Sequence, residues 1–190
     1  MFLVAGLGNP GREYAGTRHN MGFRVLDVLS SRLNAPVTKP LFKSFTGRAV
    51  LSGRTIVLAK PQTYMNLSGN AVAALMNWFK IPRRGLVVVF DDIDLPPGKI
   101  RVRPRGGHGG HHGLESIIEK IGTDQFTRVR IGIGRPPTPE YDVAHWVLSR
   151  LTEEEEKLVG HALERAAEAV ITLVNEGVDA AMNRFNRDGV

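Results

Sequence analysis

Two residues far apart in the chain could form a proton-transfer pair. His19 stands where a polar loop meets a helix, and Asp91 opens the cluster Asp91-Asp92-Ile93-Asp94 at the end of an apolar run. An imidazole acting as a general base needs a carboxylate that fixes its tautomer and stabilises the protonated ring. The chain has no Cys, and no serine sits in a G-x-S-x-G elbow, Ser68 reading instead as a helix cap. Water activated by His19 is therefore the simplest nucleophile. Asn9 and Asn66 add amide N–H groups suited to a carbonyl oxygen that gathers negative charge. Each residue also has a plainer reading: His19 and Asn66 as caps, Asn9 as a turn former before Pro10, Met65 as a space filler.

Two other chemistries are weighed against this one. His108, His111 and His112 with Asp91, Asp92 and Asp94 suggest a metal, but His-x-x-His-His on a glycine loop lacks the i, i+4 helical geometry of zinc hydrolases. Gly6, Gly8 and Gly11 spell G-x-G-x-x-G. In a dinucleotide fold the third glycine already lies in the helix, and an acid closes the next strand about 20 residues on. Here Pro10 and Arg12 to Thr17 delay the helix, and Asp27 falls inside it. Neither a metal nor any other cofactor is expected.

The elements that must position these groups follow from periodicity. Phe2 to Leu7 is a short apolar run ended by a glycine-rich loop, so it reads as a buried strand, and Phe23, Val25, Leu26, Val28, Leu29 and Leu33 mark the helix after it. Pro36 to Pro40 read as a loop, and residues 46–51 and 55–59 as a hairpin across Ser52-Gly53. Pro61 ends that second strand, and Asn66 or Ser68 caps a helix striped by Val72, Leu75, Met76 and Phe79. Leu86 to Phe90 reads as a central strand. In residues 99–105, period two places Arg101 and Arg103 on one face. The glycine-rich stretch 105–113 leads into a helix through Leu114, Ile117, Ile118 and Ile121, and residues 129–133 form another strand. Residues 143–148 suit either a helix or a short edge segment. Thr152 and Glu155 form a capping box before a long helix stopped by Gly177, with a short helix after it. The expectation is an α/β fold: a single-domain sandwich over residues 1–190, with a twisted mixed sheet flanked by helices.

Charge narrows the partner. Lys and Arg number 25 against 19 Asp and Glu, a net charge of +6 with an isoelectric point near 10.0. Lys99, Arg101, Arg103 and Arg105 cluster, with Arg128 and Arg130 downstream, while Glu153 to Glu156 place the opposite sign elsewhere, as a face for a polyanion requires. The absence of Cys, of a signal-peptide pattern and of any bilayer-length apolar stretch reads as a cytoplasmic protein without a membrane partner.

Residues 6–23 (GLGNPGREYAGTRHNMGF), 60–72 (KPQTYMNLSGNAV), 91–117 (DDIDLPPGKIRVRPRGGHGGHHGLESI) and 128–136 (RVRIGIGRP) together resemble the bacterial peptidyl-tRNA hydrolases, in order and at compatible spacing. The resemblance implies hydrolysis of the ester joining a peptide to the 3′ ribose of tRNA, with His19 activating water and Asp91 orienting and polarising it. It implies that Asn9 favours a blocked α-amino group, that Tyr14, Tyr64 and Asn66 bind substrate, and that Met65 floors the site. Arg101, Arg103 and Arg130 would meet tRNA phosphate. The tRNA is then the partner, with no obligate protein partner and a monomer expected. One position departs from the family: the residue after the second His of GGHGGHNG is His112, not Asn. His112 is expected to keep a binding role and to add an acid-side pH dependence, since an imidazolium can only donate. The alternative is a basic RNA-binding module without esterase activity.

Overall fold

Leu86-Val87-Val88-Val89-Phe90 carries no polar side chain, and a run of that length is stable only as a strand covered on both faces. The computed structural model describes residues 1–187 and places this run in β5, buried throughout. The strands are β1 (Phe2–Gly6), β2 (Lys39–Leu41), β3 (Ser44–Leu51), β4 (Arg54–Pro61), β5 (Leu86–Asp92), β6 (Ile100–Arg103) and β7 (Thr127–Gly132). The helices are α1 (Met21–Arg32), α2 (Ser68–Phe79), α3 (His112–Ile121), α4 (Val143–Val147), α5 (Glu153–Glu176) and α6 (Val178–Phe185). All seven strands form one sheet in the order β2-β3-β4-β1-β5-β7-β6. β4, β1, β5 and β7 run parallel, while β2, β3 and β6 are antiparallel to their neighbours.

This is the mixed sheet flanked by helices that the periodicity predicts. One core layer joins α1, α5 and α6 to one face through Val4, Leu26, Val89, Val129, Ala166 and Val170; the other joins α2 and α3 to the opposite face through Leu3, Leu75, Val88, Leu114 and Ile117. Each such large side chain, fully buried, contributes roughly 1.5–3 kcal/mol. The chain leaves β1 toward β4 and then crosses through α2 to β5 on the other side. The resulting crevice opens at the carboxyl ends of β1 and β5, where doubly wound sheets bind ligands.

Two local readings are corrected and one open alternative is decided. Lys39 and Pro40, the end of the expected loop, belong to edge strand β2, which Pro40 can join because an edge strand leaves backbone groups unpaired. Neither Asn66 nor Ser68 caps α2: the cap position is Leu67 without a side-chain bond, Asn66 is exposed, and the Ser68 hydroxyl donates to the Met65 carbonyl at 2.8 Å. Residues 143–147 are helical, capped by the Asp142 carboxylate accepting from the Ala144 N–H. The Thr152 capping box is present in both directions.

Helix α1 meets the sheet through bare backbone. A Cβ at Gly22 would lie 2.2 Å from the Leu7 nitrogen and 2.3 Å from the Val89 oxygen. Backbone in mid-sheet cannot yield as a side-chain tip can, so Gly22→Ala is expected to cost at least about 3 kcal/mol, the upper end of overpacking penalties. Urea unfolding would measure it.

Candidate active site

The 3₁₀ turn Arg18–Asn20 that precedes α1 carries three buried polar side chains, and each is tied differently. Arg18 makes a two-point ion pair with Glu155 at 2.9 and 2.8 Å, donates from Nε to the Ser149 hydroxyl at 3.1 Å, and stacks 3.7 Å from the Trp146 ring. The start of α5 and helix α4 thereby brace the turn. Asn20 accepts from the Asn9 N–H and donates to the Asn9 carbonyl, both at 2.9 Å. Between them His19, only 7% exposed, points Nδ1 at both carboxylate oxygens of Asp91, at 3.0 and 2.9 Å. Asp91 sits near the end of β5 at 2% exposure.

A second histidine completes the group. His111 precedes α3, and its Nδ1 accepts from the N–H groups of Gly113 and Leu114 at 3.2 and 3.3 Å. With Nδ1 accepting, the ring hydrogen sits on Nε2, which donates to Asp91 Oδ1 at 3.1 Å. Asp91 thus receives hydrogen bonds from two rings, and His19, donating from Nδ1, keeps Nε2 as an unprotonated base. Burial by itself pushes the Asp91 carboxyl up, but the attraction of His19 and His111 and their hydrogen bonds outweigh it and hold the group well below the usual carboxylate range. Burial likewise pulls the His19 pKa down, yet the Asp91 charge and hydrogen bond outweigh it, and the net direction is upward.

Asn9 and Met65 lie against this group from one side. Asn9 Oδ1 accepts from the Met65 N–H at 2.8 Å, so the Asn9 amide nitrogen remains available as a donor. Met65 is buried, and its sulfur and a Leu7 methyl pack against Gly113, next to His111. Tyr64 and Asn66, flanking Met65, are exposed, and Tyr14 is half-buried.

On the other side lies a cavity of about 660 Å³, lined by His19, Asp91, His112, the glycine-rich loop 106–110, Arg103, Arg128, Arg130 and part of α4. His112 stands at its exposed rim, 3.4 Å from Glu115. Arg101 pairs with Arg130 and Arg103 with Arg128 across the β6–β7 ladder, which puts all four guanidinium groups on one face. Like charges directly opposite one another repel, so the face is built for an anion. Asp92 pairs with Arg130, and the carbonyls of Gly107 and Asp124 hold Arg128. Arg103 has no hydrogen-bond or ion-pair partner among the described residues, and Arg101 Nε is buried without one. Of the anticipated phosphate contacts, Arg103 and Arg130 line the cavity and Arg101 does not.

His19, Asp91 and His111 are also the one group among the described residues whose ligand atoms, within 4.8 Å of one another, could hold a metal ion. Both ring nitrogens that face Asp91 carry hydrogens in the arrangement above, and a metal ligand cannot. The donor set fits a proton relay better than a metal centre.

The residues missed in the sequence are His111, which figured there only as a possible metal ligand, together with Asn20 and Arg18; Arg128, read there as part of the basic cluster, does line the cavity. The N-cap position of His111 before α3 was the available signal.

An oriented base, a spare amide donor and an arginine face, gathered at the carboxyl edge of an α/β sheet, are the equipment of a water-using hydrolase. Comparison with known proteins gives the family. The sequence model for peptidyl-tRNA hydrolase matches residues 3–190. A peptidyl-tRNA hydrolase of Caldanaerobacter subterraneus subsp. tengcongensis is 50% identical over 98% of this chain and 100% of its own length. One from Chloroflexus aggregans is 51% identical over 98% and 99%. The crystal structure of the Acinetobacter baumannii peptidyl-tRNA hydrolase is similar at a TM-score of 0.92, with 38% identity over 98% of this chain and 95% of that one. The chain belongs to the peptidyl-tRNA hydrolase family, and it is a hydrolase. Among the described residues no helix is long and apolar enough to cross a membrane.

Proposed function

We propose that this chain hydrolyses the ester between a peptide and the 3′ ribose of tRNA through water activated by His19. The observation that carries the reading is the double contact of His19 Nδ1 with the buried Asp91 carboxylate, at 3.0 and 2.9 Å. Nε2 takes a proton as the water oxygen attacks the ester carbon, and Asp91 stabilises the imidazolium while His111 keeps the carboxylate in place. Asn66 and Asn9 supply amide donors: Asn66 to the carbonyl oxygen that gains negative charge, Asn9 to the acyl carbonyl oxygen that blocks the α-amino group. The imidazolium then returns its proton to the departing 3′ oxygen, which closes the cycle without a covalent intermediate. Met65 floors the site, and Tyr14 and Tyr64 flank the substrate.

The tRNA backbone meets the arginine face. Arg103 is the foremost phosphate contact because it lines the cavity without a protein partner among the described residues. Arg130, already paired with Asp92, contributes a fixed positive charge, and Arg101 lies on the same ladder outside the cavity. His112 at the rim takes the place of the usual Asn.

Turnover of N-acetylaminoacyl-tRNA by the purified chain, with and without a chelator, tests this. Hydrolysis is expected to be unchanged by the chelator, with the free aminoacyl-tRNA spared at least about tenfold. Activity lost to the chelator and restored by zinc would replace the proton relay with a metal mechanism.

A further inference from the structure

From Val28 to Phe90 the chain contains no Asp or Glu but nine Lys or Arg, more than its whole net charge of +6. Lys60 pairs with Asp27, Arg32 pairs with Glu164, and Arg54 donates to the Val174 carbonyl. Lys39, Lys43, Arg48 and Lys80 have no acidic partner among the described residues and are exposed. Lys39 and Arg48 line the same groove as Trp78, and Lys43 and Lys80 directly follow Phe42 and Phe79 in the chain. Trp78 is 64% exposed and packs on exposed Phe42 with centroids 5.5 Å apart, and the Arg48 guanidinium lies 5.6 Å from the Phe79 ring. A groove of about 440 Å³ runs between them, lined by Lys39, Leu41, Thr46, Arg48, Trp78 and Phe79.

Stability accounts for only part of this. Lysine and proline on edge strand β2 guard against strand pairing, and Lys80, left-handed at φ 53°, suits the end of α2. Neither explains why a tryptophan and a phenylalanine stay exposed beside these cations. Exposed ring faces among unpaired cations are how proteins hold single-stranded nucleic acid, the rings stacking on bases and the cations tracking phosphates. The patch is also separate from the arginine face: β2 and β6 are the opposite edges of the seven-stranded sheet, about 25–30 Å apart at the usual strand spacing. The turn at Phe42-Lys43 is nevertheless tied toward the site, because the Lys43 carbonyl accepts from the Gln62 N–H at 2.7 Å, three residues before Met65.

We infer that the groove between Trp78, Phe42 and Arg48 is a second RNA-binding surface, for a single-stranded segment distinct from the esterified acceptor end. The inference does not depend on the ester chemistry. A 12-nucleotide oligouridine with no aminoacyl group is the probe, titrated against the full chain while tryptophan fluorescence is followed. Binding is expected to quench Trp78 fluorescence, and the quench should vanish in Trp78→Phe. Reversing Lys43, Arg48 and Lys80 to Glu together should weaken binding at least tenfold. It should also lower the log–log salt slope by about 2, three cations at roughly 0.7 each on a single strand. Turnover of N-acetylaminoacyl-tRNA should stay within about twofold of wild type in both variants. Unaltered affinity and salt slope after charge reversal would overturn the inference. So would binding without quenching, or heparin, a polyanion without bases, competing as well per charge as the RNA.

Discussion

His19→Ala is expected to lower kcat for N-acetylaminoacyl-tRNA by at least about 10²–10⁴-fold, the range a positioned base supplies, while tRNA affinity changes less than about threefold. The separation follows from placement. His19 is buried against Asp91, whereas Arg103 and Arg130 line the cavity from the β6–β7 ladder, and the substitution disturbs neither strand. Asp91 does not become an orphan charge either, because His111 Nε2 still donates to it. The variant should therefore lose about 1–3 kcal/mol of stability and remain folded. Free imidazole entering the vacated space should restore part of the rate. Steady-state kinetics alongside filter binding make the comparison, and parallel losses in rate and affinity would indicate a structural role for the ring.

Asp91→Asn is expected to cost about 10²–10⁴-fold in kcat/KM and to move the acid limb of the pH profile downward. The rate loss has two sources. An amide that donates to Nδ1 drives the hydrogen to Nε2, the wrong tautomer for a base, and an uncharged partner no longer stabilises the imidazolium. The direction of the limb follows from His19 itself. In the wild type burial lowers its pKa, but the charge and hydrogen bond of Asp91 raise it further, so activity should fall as pH drops through a value above the ordinary 6.5. Without the charge, burial is left unopposed and the limb moves to lower pH. A pH series on both proteins reads this directly, and an acid limb that stays in place would separate Asp91 from the titrating group.

Much of the site was legible because its residues stand where chain patterns change. His19 ends a polar loop before an amphipathic run, and Asp91 ends an apolar one, so each could be placed at a strand mouth before any contact was known. The joining of those mouths is a matter of sheet order. The parallel pairing of β1 with β5, Gly6 opposite Val89, brings the two ends together, and no local pattern contains that register. His111 was lost among three close histidines on a glycine loop, since only the backbone entering α3 decides which ring turns inward. His111 does so and caps the helix; His112, one residue on, faces solvent. Alternation put Arg101 and Arg103 on one face, but their opposition to Arg130 and Arg128 required knowing that β6 pairs antiparallel with β7. β2 escaped notice because proline punctuation marks loops and edge strands alike.

The most direct test of the proton relay is nitrogen-15 NMR of the His19 ring in the intact chain across pH 5 to 9. The expected spectrum has the hydrogen on Nδ1 and none on Nε2 at high pH, a titration midpoint above 6.5, and a lower midpoint in Asp91→Asn. A ring carrying its hydrogen on Nε2, or titrating below the ordinary histidine value in the wild type, would contradict His19 as the Asp91-oriented base.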